Sequence, residues 1–455
     1  IEAEQFLFLP SQKLYSMKVM KFGGTSVGKP ERMHEVARLV TRGDEPVIVV
    51  LSALSGTTNT LVSIGEALSK GDKTKAAEII SQLELHYKQF IENLLKDQAL
   101  VEKAKSIINE HFEFLNIILK ISFNEALNKD ILAQGELMST KMFCVYLEEQ
   151  GIDHVFLPAL EFMSIDTYDE PQVPVISEKL SALLAHHPAK KMFITQGYIC
   201  RNARGEVDNL KRGGSDYSAS LIAAAIKASV CEIWTDIDGM HNNDPRVVSK
   251  TVAIEKLSFD EAAELAYFGA KILHPASIWP AQMYQIPVKL LNTMEPDAKG
   301  TLIETAASAK GVKAVAAKDG IIVVKIKSSR MLLAYGFLRK IFEVFEKYRT
   351  PIDMITTSEV AVSLTIDNGA QLSEILRELE PFGDVEVLKD QTIIAIVGDH
   401  MADSKNVLSD LFTSLTEIPI GMVSFGATPN NVSILVASEY KTKALQLLNS
   451  GIFGL

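Results

Sequence analysis

The sequence predicts an α/β protein: a mainly parallel sheet alternating with helices, followed by a tandem of ferredoxin-like βαββαβ units. Three observations carry this expectation. From Met17 to about Thr301, short β-branched apolar runs alternate with helical patterns. Beyond residue 311 the order changes to strand, helix, strand, strand, helix, and it occurs twice. The chain has 455 residues, of which 47% are hydrophobic, enough for about three domains of ordinary size.

In the first part, Val19–Phe22 is a short strand and Pro30 opens a helix running to about Arg42. Pro46–Leu51 is a continuous apolar run, as expected of a strand buried on both faces. From Asn59 to Gln150 the pattern is almost wholly helical. Strands follow at His154–Leu157 and Lys191–Gln196, then a hairpin over Tyr198–Leu210. Tyr217–Ala228 is an alanine-rich helix, and Glu232–Thr235 and Pro287–Leu291 are strands. Ser258–Gly269 is a helix opened by a capping box, Ser258 with Glu261.

The first repeat unit reads Ile321–Ile326, Gly336–Tyr348, Ile352–Thr356, Ala361–Ile366 and Gln371–Leu379, closing with Val385–Leu388. The second reads Thr392–Val397, Ser404–Thr416, Gly421–Phe425, Val432–Val436 and Tyr440–Leu448, with no fourth strand of its own. Val312–Ala317 is left over and is expected to complete that sheet. The expected division is therefore 17–304, then 319–389, then 305–318 together with 390–455. Residues 1–16 precede Met17 without a basic leader and read as an artificial or loose extension.

Composition excludes several classes. Asp and Glu number 57 against 46 Lys and Arg, a net charge of −11 with no basic stripe, which disfavours nucleic acid. No apolar run reaches the ~18 residues of a membrane span. Cys144, Cys200 and Cys231 form no CxxC pair, as in a reducing cytoplasm, and no zinc or other protein metal cluster is expected.

Two glycine turns each sit between a strand and a helix. The first, Lys21-Phe22-Gly23-Gly24-Thr25-Ser26-Val27-Gly28, lets backbone amides and a helix N-terminus approach phosphate oxygens. Alone, it is equally compatible with an ordinary glycine turn. It also nearly fits a P-loop, but Pro30 stands where the magnesium-binding hydroxyl belongs. Lys21 is then the useful cation. The second turn, Lys211-Arg212-Gly213-Gly214-Ser215-Asp216, offers Ser215 or Asp216 as an N-cap and Arg212 as a fork for carboxylate or phosphate.

These turns combine with Leu51–Asn59, Gln134–Thr140, Trp234–Gly239, Asn243–Val247, Phe268–Pro275 and Ile355–Asp367. In that order the motifs resemble the aspartokinases of the amino acid kinase family, from about Lys18 onward. The resemblance implies a three-layer α/β/α sandwich followed by two ACT domains. It implies ATP-dependent phosphorylation of the L-aspartate side-chain carboxylate, with Mg2+ riding mostly on phosphate oxygens and water.

Carried over residue by residue, the resemblance makes Lys21, Arg212 and Asp216 catalytic. It gives Thr58, Glu136, Arg212, Gly213, Gly214 and Ser215 to the substrate. It gives Lys21, Gly23, Gly24, Thr235, Asp236, His241, Arg246, Lys271 and Ile272 to ATP. One departure is His241, where many members carry tyrosine. The nucleophile is an ionised carboxylate, so no general base is needed.

For the tail, the resemblance implies an amino acid effector at Met331, Phe337, Leu338, Ile352, Asp353, Ser358 and Glu359. L-Lysine is the expected inhibitor. Threonine or lost feedback are the alternatives, because Ala334 and Pro351 stand where members commonly carry serine. A homodimer or tetramer through the ACT sheets is a family expectation, and a fused homoserine dehydrogenase is not expected. The rivals are a kinase of the same fold acting on glutamate or acetylglutamate, and a catalytically silent amino acid sensor.

Overall fold

The structure is a computed structural model that describes residues 17–455 except 211–212, 270–272, 306–310, 332–334, 404–405 and 427. The chain divides into two compact units. Unit one is Ile1–Gly239 with Ile272–Thr305, and unit two is Met240–Lys271 with Ala306–Leu455.

Unit one begins with β1 (Lys18–Phe22), a single helical turn α1 (Gly24–Val27), α2 (Pro30–Val40) and β2 (Val47–Leu51). The glycine turn expected after β1 thus folds as helix straight after Gly23. A helical hairpin layer follows: α3 (Thr57–Ser69), α4 (Lys73–Leu94), α5 (Gln98–Ile118) and α6 (Glu125–Glu149). Asp72, Asp97 and Asn124 cap α4, α5 and α6 by accepting first-turn amides, which ends one helix cleanly from the next. Then come β3 (Val155–Phe156), α7 (Ala159–Phe162), α8 (Val173–Ala185), β4 (Met192–Gln196), a hairpin β5 (Ile199–Arg201) and β6 (Val207–Asn209), α9 (Gly214–Ile226) and β7 (Cys231–Thr235). The chain passes through unit two with β8 (Lys256–Ser258) and α10 (Phe259–Tyr267). It returns with α11 (Trp279–Met283), β9 (Val288–Asn292) and β10 (Thr301–Glu304).

Within unit one the strands lie in the order β3-β4-β2-β1-β7-β9-β10. All neighbours are parallel except β9 and β10. Met20, Phe22, Val47, Val49, Leu51 and Ile194 face a core shared with α2–α6. Val19, Ile48 and Val50 are equally buried on the other face, where α9 packs. Burial on both faces is why β2 reads as an unbroken apolar run.

Unit two contains β11 (Gly311–Lys327), α12 (Phe337–Lys347), β12 (Ile355–Thr357), β13 (Ala361–Ile366), α13 (Leu372–Leu379), β14 (Asp384–Asp399), α14 (Val407–Ser414), β15 (Met422–Phe425), β16 (Asn431–Ala437) and α15 (Lys441–Phe453). The sheet order is β12-β13-β11-β14-β16-β15. Residues 314–317 of β11 pair with 394–397 of β14, while residues 323–327 pair with 384–388. Strands expected as separate pieces run on as two long ones. Register shifts near Lys318–Val323, with Gly320 and Asp390 at positive φ, bend the ladder without breaking it. Two apolar clusters form, one under α14 and α15 and one under α12 and α13.

Segment 240–269 is docked within unit two by α10. The expected capping box is present, with Ser258 Oγ accepting from the Glu261 amide at 3.1 Å and Glu261 accepting from the Ser258 amide at 2.7 Å. Asn431 Nδ2 donates to Glu264 at 2.7 Å.

Phe112 is 1% exposed and meets the ring of fully buried Tyr87 edge-on at 5.9 Å. Phe112→Ala is expected to destabilise unit one by about 3–5 kcal/mol, read as a lowered midpoint of the first unfolding transition.

Candidate active site

The carboxyl ends of β1, β2, β4 and β7 open onto a cavity of about 550 Å³. Ligands collect at this end of an open parallel sheet. Of the residues singled out from sequence, Lys21, Gly24, Thr58, Glu136, Gly213, Gly214, Ser215, Thr235 and Asp236 line it.

Lys21 is the penultimate residue of β1 and is only 9% exposed. Its ammonium lies 2.6 Å from Asp216 Oδ1. The first turn is tied to the sheet: the Gly23 amide donates to the Trp234 carbonyl at 3.3 Å, and Ser26 Oγ meets Thr293 Oγ1 at 2.7 Å. Gly23 itself sits against Lys21, since a Cβ there would lie 3.4 Å from the lysine nitrogen.

The second turn corrects one expectation. The N-cap of α9 is Gly213, at φ 70°, and not Ser215 or Asp216. Both lie inside the first turn, and the Asp216 carboxylate is turned to Lys21 rather than to the helix's own amides. Only glycine adopts Gly213's backbone without strain, and a Cβ there would also come within 2.7 Å of Ser277. The amides opening α9 therefore face the cavity, a favourable place for an anion.

Glu136 comes from α6 and is 4% exposed. Its Oε1 accepts from the Ala53 amide at 3.2 Å, while buried Oε2 has no partner. Burial pushes the carboxyl up to about 8, against the opposing pull of the Ala53 amide and Lys21. Gly135 makes this possible, because a Cβ there would strike that of Ala53 at 2.7 Å. Ser139 Oγ donates to the Ser52 carbonyl at 2.7 Å and fixes the same approach.

Sequence reasoning quoted Ser52 and Ser55 within a motif without giving them a role, and missed Tyr198. All three line the cavity. Tyr198 follows Gly197 just beyond β4, and its strand-end position was the available signal. It holds a left-handed φ of 66°, fixed by a 2.7 Å bond from its amide to Ser218 Oγ. Burial raises its phenol to about 12.

Arg212, Lys271 and Ile272 are outside the described residues. His241 and Arg246 belong to unit two. There His241 Nδ1 lies 2.8 Å from Thr251 Oγ1, and Arg246 forks onto Asp244 at 2.9 and 2.8 Å. Of the expected effector residues, Phe337 is buried, Met331, Leu338 and Ile352 pack half-buried against the same core, and Ser358 and Glu359 are exposed. Asp353 is held by Tyr267 and Lys318. Among the described residues no cluster of three His, Cys, Asp or Glu side chains could hold a metal, and no helix is long and apolar enough to cross a membrane.

Comparison with known proteins agrees with this arrangement. The family described as the Amino acid kinase family matches residues 16–292, and an ACT domain matches 394–451. The lysine-sensitive aspartokinase 3 of Escherichia coli is 33% identical over 447 residues, covering 96% of this chain and 99% of that protein. Aspartokinase III of E. coli in complex with aspartate and ADP is similar in structure, with a TM-score of 0.81 at 32% identity over 96% of this chain and 100% of that one. The same enzyme in complex with lysine and aspartate gives 0.80 at 32%, over 96% and 99%. The chain therefore belongs to the amino acid kinase family and, within it, to the aspartokinases.

Proposed function

We propose that the protein transfers the γ-phosphoryl group of ATP to the side-chain carboxylate of L-aspartate, giving 4-phospho-L-aspartate and ADP, under feedback through its ACT domains. The carrying observation is the cavity that sets a buried lysine against an aspartate at the carboxyl end of a parallel sheet, with a solvent-shielded carboxylate opposite. One oxygen of the substrate carboxylate attacks the γ-phosphorus, and the bond to the β-phosphate oxygen breaks. Nucleophile and leaving group are both anionic, so no proton has to move. Lys21 neutralises charge on the transferring group, Asp216 orients Lys21, Gly23 leaves the space beside the lysine nitrogen, and the amides of Gly24 and the α9 start hold phosphate oxygens.

Glu136 receives the α-ammonium of aspartate on its unpartnered oxygen, Thr58 hydrogen-bonds the substrate, and Arg212 takes a carboxylate. Thr235, Asp236, His241, Arg246, Lys271 and Ile272 serve the nucleotide. The exposed carboxylate of Asp236 would hold Mg2+ beside the nucleotide, and the ion would supply charge neutralisation to the phosphates. L-Lysine is the effector, with Asp353 and Glu359 as anionic contacts beside Met331, Phe337, Leu338, Ile352 and Ser358.

The functional domains are 17–304, of which Met240–Lys271 belongs to the second compact unit, then 319–389, and 305–318 with 390–455, and the enzyme works in the cytoplasm. Its ACT sheets join copies into a homodimer or tetramer. Light scattering at micromolar concentration should give at least twice the chain mass, and a monomer overturns that assembly.

The test of the function is ADP release with magnesium-ATP and L-aspartate, repeated with L-glutamate and with added L-lysine. Turnover with aspartate alone, falling as lysine rises, is expected. Turnover only with glutamate would favour the related kinases, and lysine binding without turnover a silent sensor. Lys21→Ala should lower kcat by at least about 100-fold with the fold retained, and near-native turnover would remove its assigned role.

Glu136 also sets a pH dependence. Below about 8 it is mostly protonated in the free enzyme, and pairing with an ammonium requires loss of that proton. The dissociation constant for aspartate should therefore fall about ten-fold per pH unit as pH rises through the range below about 8, then level. Calorimetric titration checks this slope, and Glu136→Gln should flatten it.

A further inference from the structure

Glu136 is buried at a cost. Its Oε2 is unpartnered, so a small turn of α6 about its own axis would relieve the burial by bringing the carboxyl nearer to water. The opposite face of α6 carries an arrangement that resists such a turn. Gln134 lies two positions before Glu136, about 200° around the helix, and Lys141 lies about two turns beyond Gln134 on Gln134's own face. Both reach one side chain on α5, His111, which is 8% exposed. His111 Nδ1 is 2.7 Å from Gln134 Oε1, and His111 Nε2 is 3.0 Å from the Lys141 ammonium.

The direction of these bonds follows from their chemistry. An ammonium can only donate, so Nε2 accepts and Nδ1 carries the hydrogen. Nδ1 then donates to Gln134 Oε1, and Gln134 Nε2 donates to the Asp130 carbonyl at 2.9 Å. Burial lowers the imidazole from its ordinary value despite the bond to Gln134, and the Lys141 ammonium lowers it further, so the ring is neutral as this tautomer requires. The chain of bonds starts and ends on α6 and passes once through α5. It ties two turns of α6 to a neighbouring helix at one rotation. The front of α6 is seated from α4, where Tyr87 Oη lies 3.2 Å from Thr57 Oγ1 and the Thr57 methyl would lie 3.4 Å from a Cβ at Gly135.

We propose that His111 is a positioning residue for the transfer reaction: by gripping Gln134 and Lys141 it sets the rotation of α6, and so holds the Glu136 carboxylate where the substrate's α-ammonium meets it. This rests on reading Glu136 as the ammonium contact. His111 acts without touching the substrate, since no described residue of α5 lines the cavity. A histidine that merely filled the core would support the fold and leave the two substrates on equal terms. Loss of a rotational lock on α6 must instead show in the affinity for the amino acid and not in that for ATP, whose described contacts lie on other elements.

The test uses the full-length enzyme in ADP-release kinetics above about pH 8, where Glu136 is ionised, with circular dichroism to follow the fold. His111→Phe keeps a ring and loses both nitrogens. Its KM for aspartate should rise about ten-fold, with kcat and the KM for ATP within about two-fold of wild type. His111→Asn places an amide nitrogen where Nδ1 stood and should return the KM for aspartate to within about three-fold of wild type. Gln134→Met breaks the same bond from the other side, and it carries the test if His111→Phe does not fold. Combining the two should raise the KM no further than either alone, and multiplied effects overturn action through Gln134. Equal rises in both KM values, or no rescue by asparagine, reduce His111 to a structural residue and overturn the proposal. Glu136→Gln separates the two readings. If it raises the KM for aspartate while His111→Phe and Gln134→Met do not, the lock alone fails. If it leaves that KM unchanged, the ammonium reading and the lock fail together.

Discussion

A lysine ammonium and an aspartate carboxylate 2.6 Å apart, with side chains only 11% and 16% exposed, hold the two glycine turns of the first unit together. Much else in that unit follows from this pair. Lys21 can be shielded only because β1 is central in the sheet, flanked by β2 and β7. Asp216 can face it only because Gly213, in a left-handed conformation, starts α9 two residues before the usual capping side chains would. A buried charge pair of this kind is weak support for stability, and removing one partner strands the other at a cost of about 3–5 kcal/mol. Its presence at the open end of the sheet is better explained by what a phosphoryl group needs: a fixed positive charge that does not have to reorganise during transfer.

The opposite wall works by the reverse logic. Glu136 is withdrawn from water without a cation of its own, so its carboxyl rises towards neutrality. Its Oε2, buried and unpartnered, is a cost that an ammonium ligand removes. Gly135 permits the close approach of α6 that creates this burial. One wall therefore keeps a charge pair intact before any ligand arrives, and the other waits for the ligand to complete it.

Much of this was legible in the sequence because the signals were local. The β-branched run of β2, the capping box at Ser258 and Glu261, and the glycine turns all depend on neighbours within a few positions. What was missed depends on partners distant in the chain. Asp216 looked like a cap, since Lys21 lies 195 residues away along the chain, the difference of their numbers. Tyr198 carries no motif and matters only because β4 ends where β1 and β2 end. The strands near 312–326 and 385–397 looked like separate pieces because Gly320 and Asp390 resemble turns. The paired ladder carries them through as bends, since each strand finds a continuous partner in the other. The hydrogen bonds at Asp353 were hidden for the same reason: their donors come from residues 267 and 318.

The long strands join the two halves of the module. Val315 to Lys318 pair with β14 beside one apolar cluster, and Val323 to Lys327 pair with it beside the other. Lys318 stands at the bend between these halves, where the register shifts. Its ammonium meets Asp353 and Asp367 there. The irregularity that blurred the strand boundaries in the sequence is thus also the place where a charged side chain ties β11 to the segment before β12.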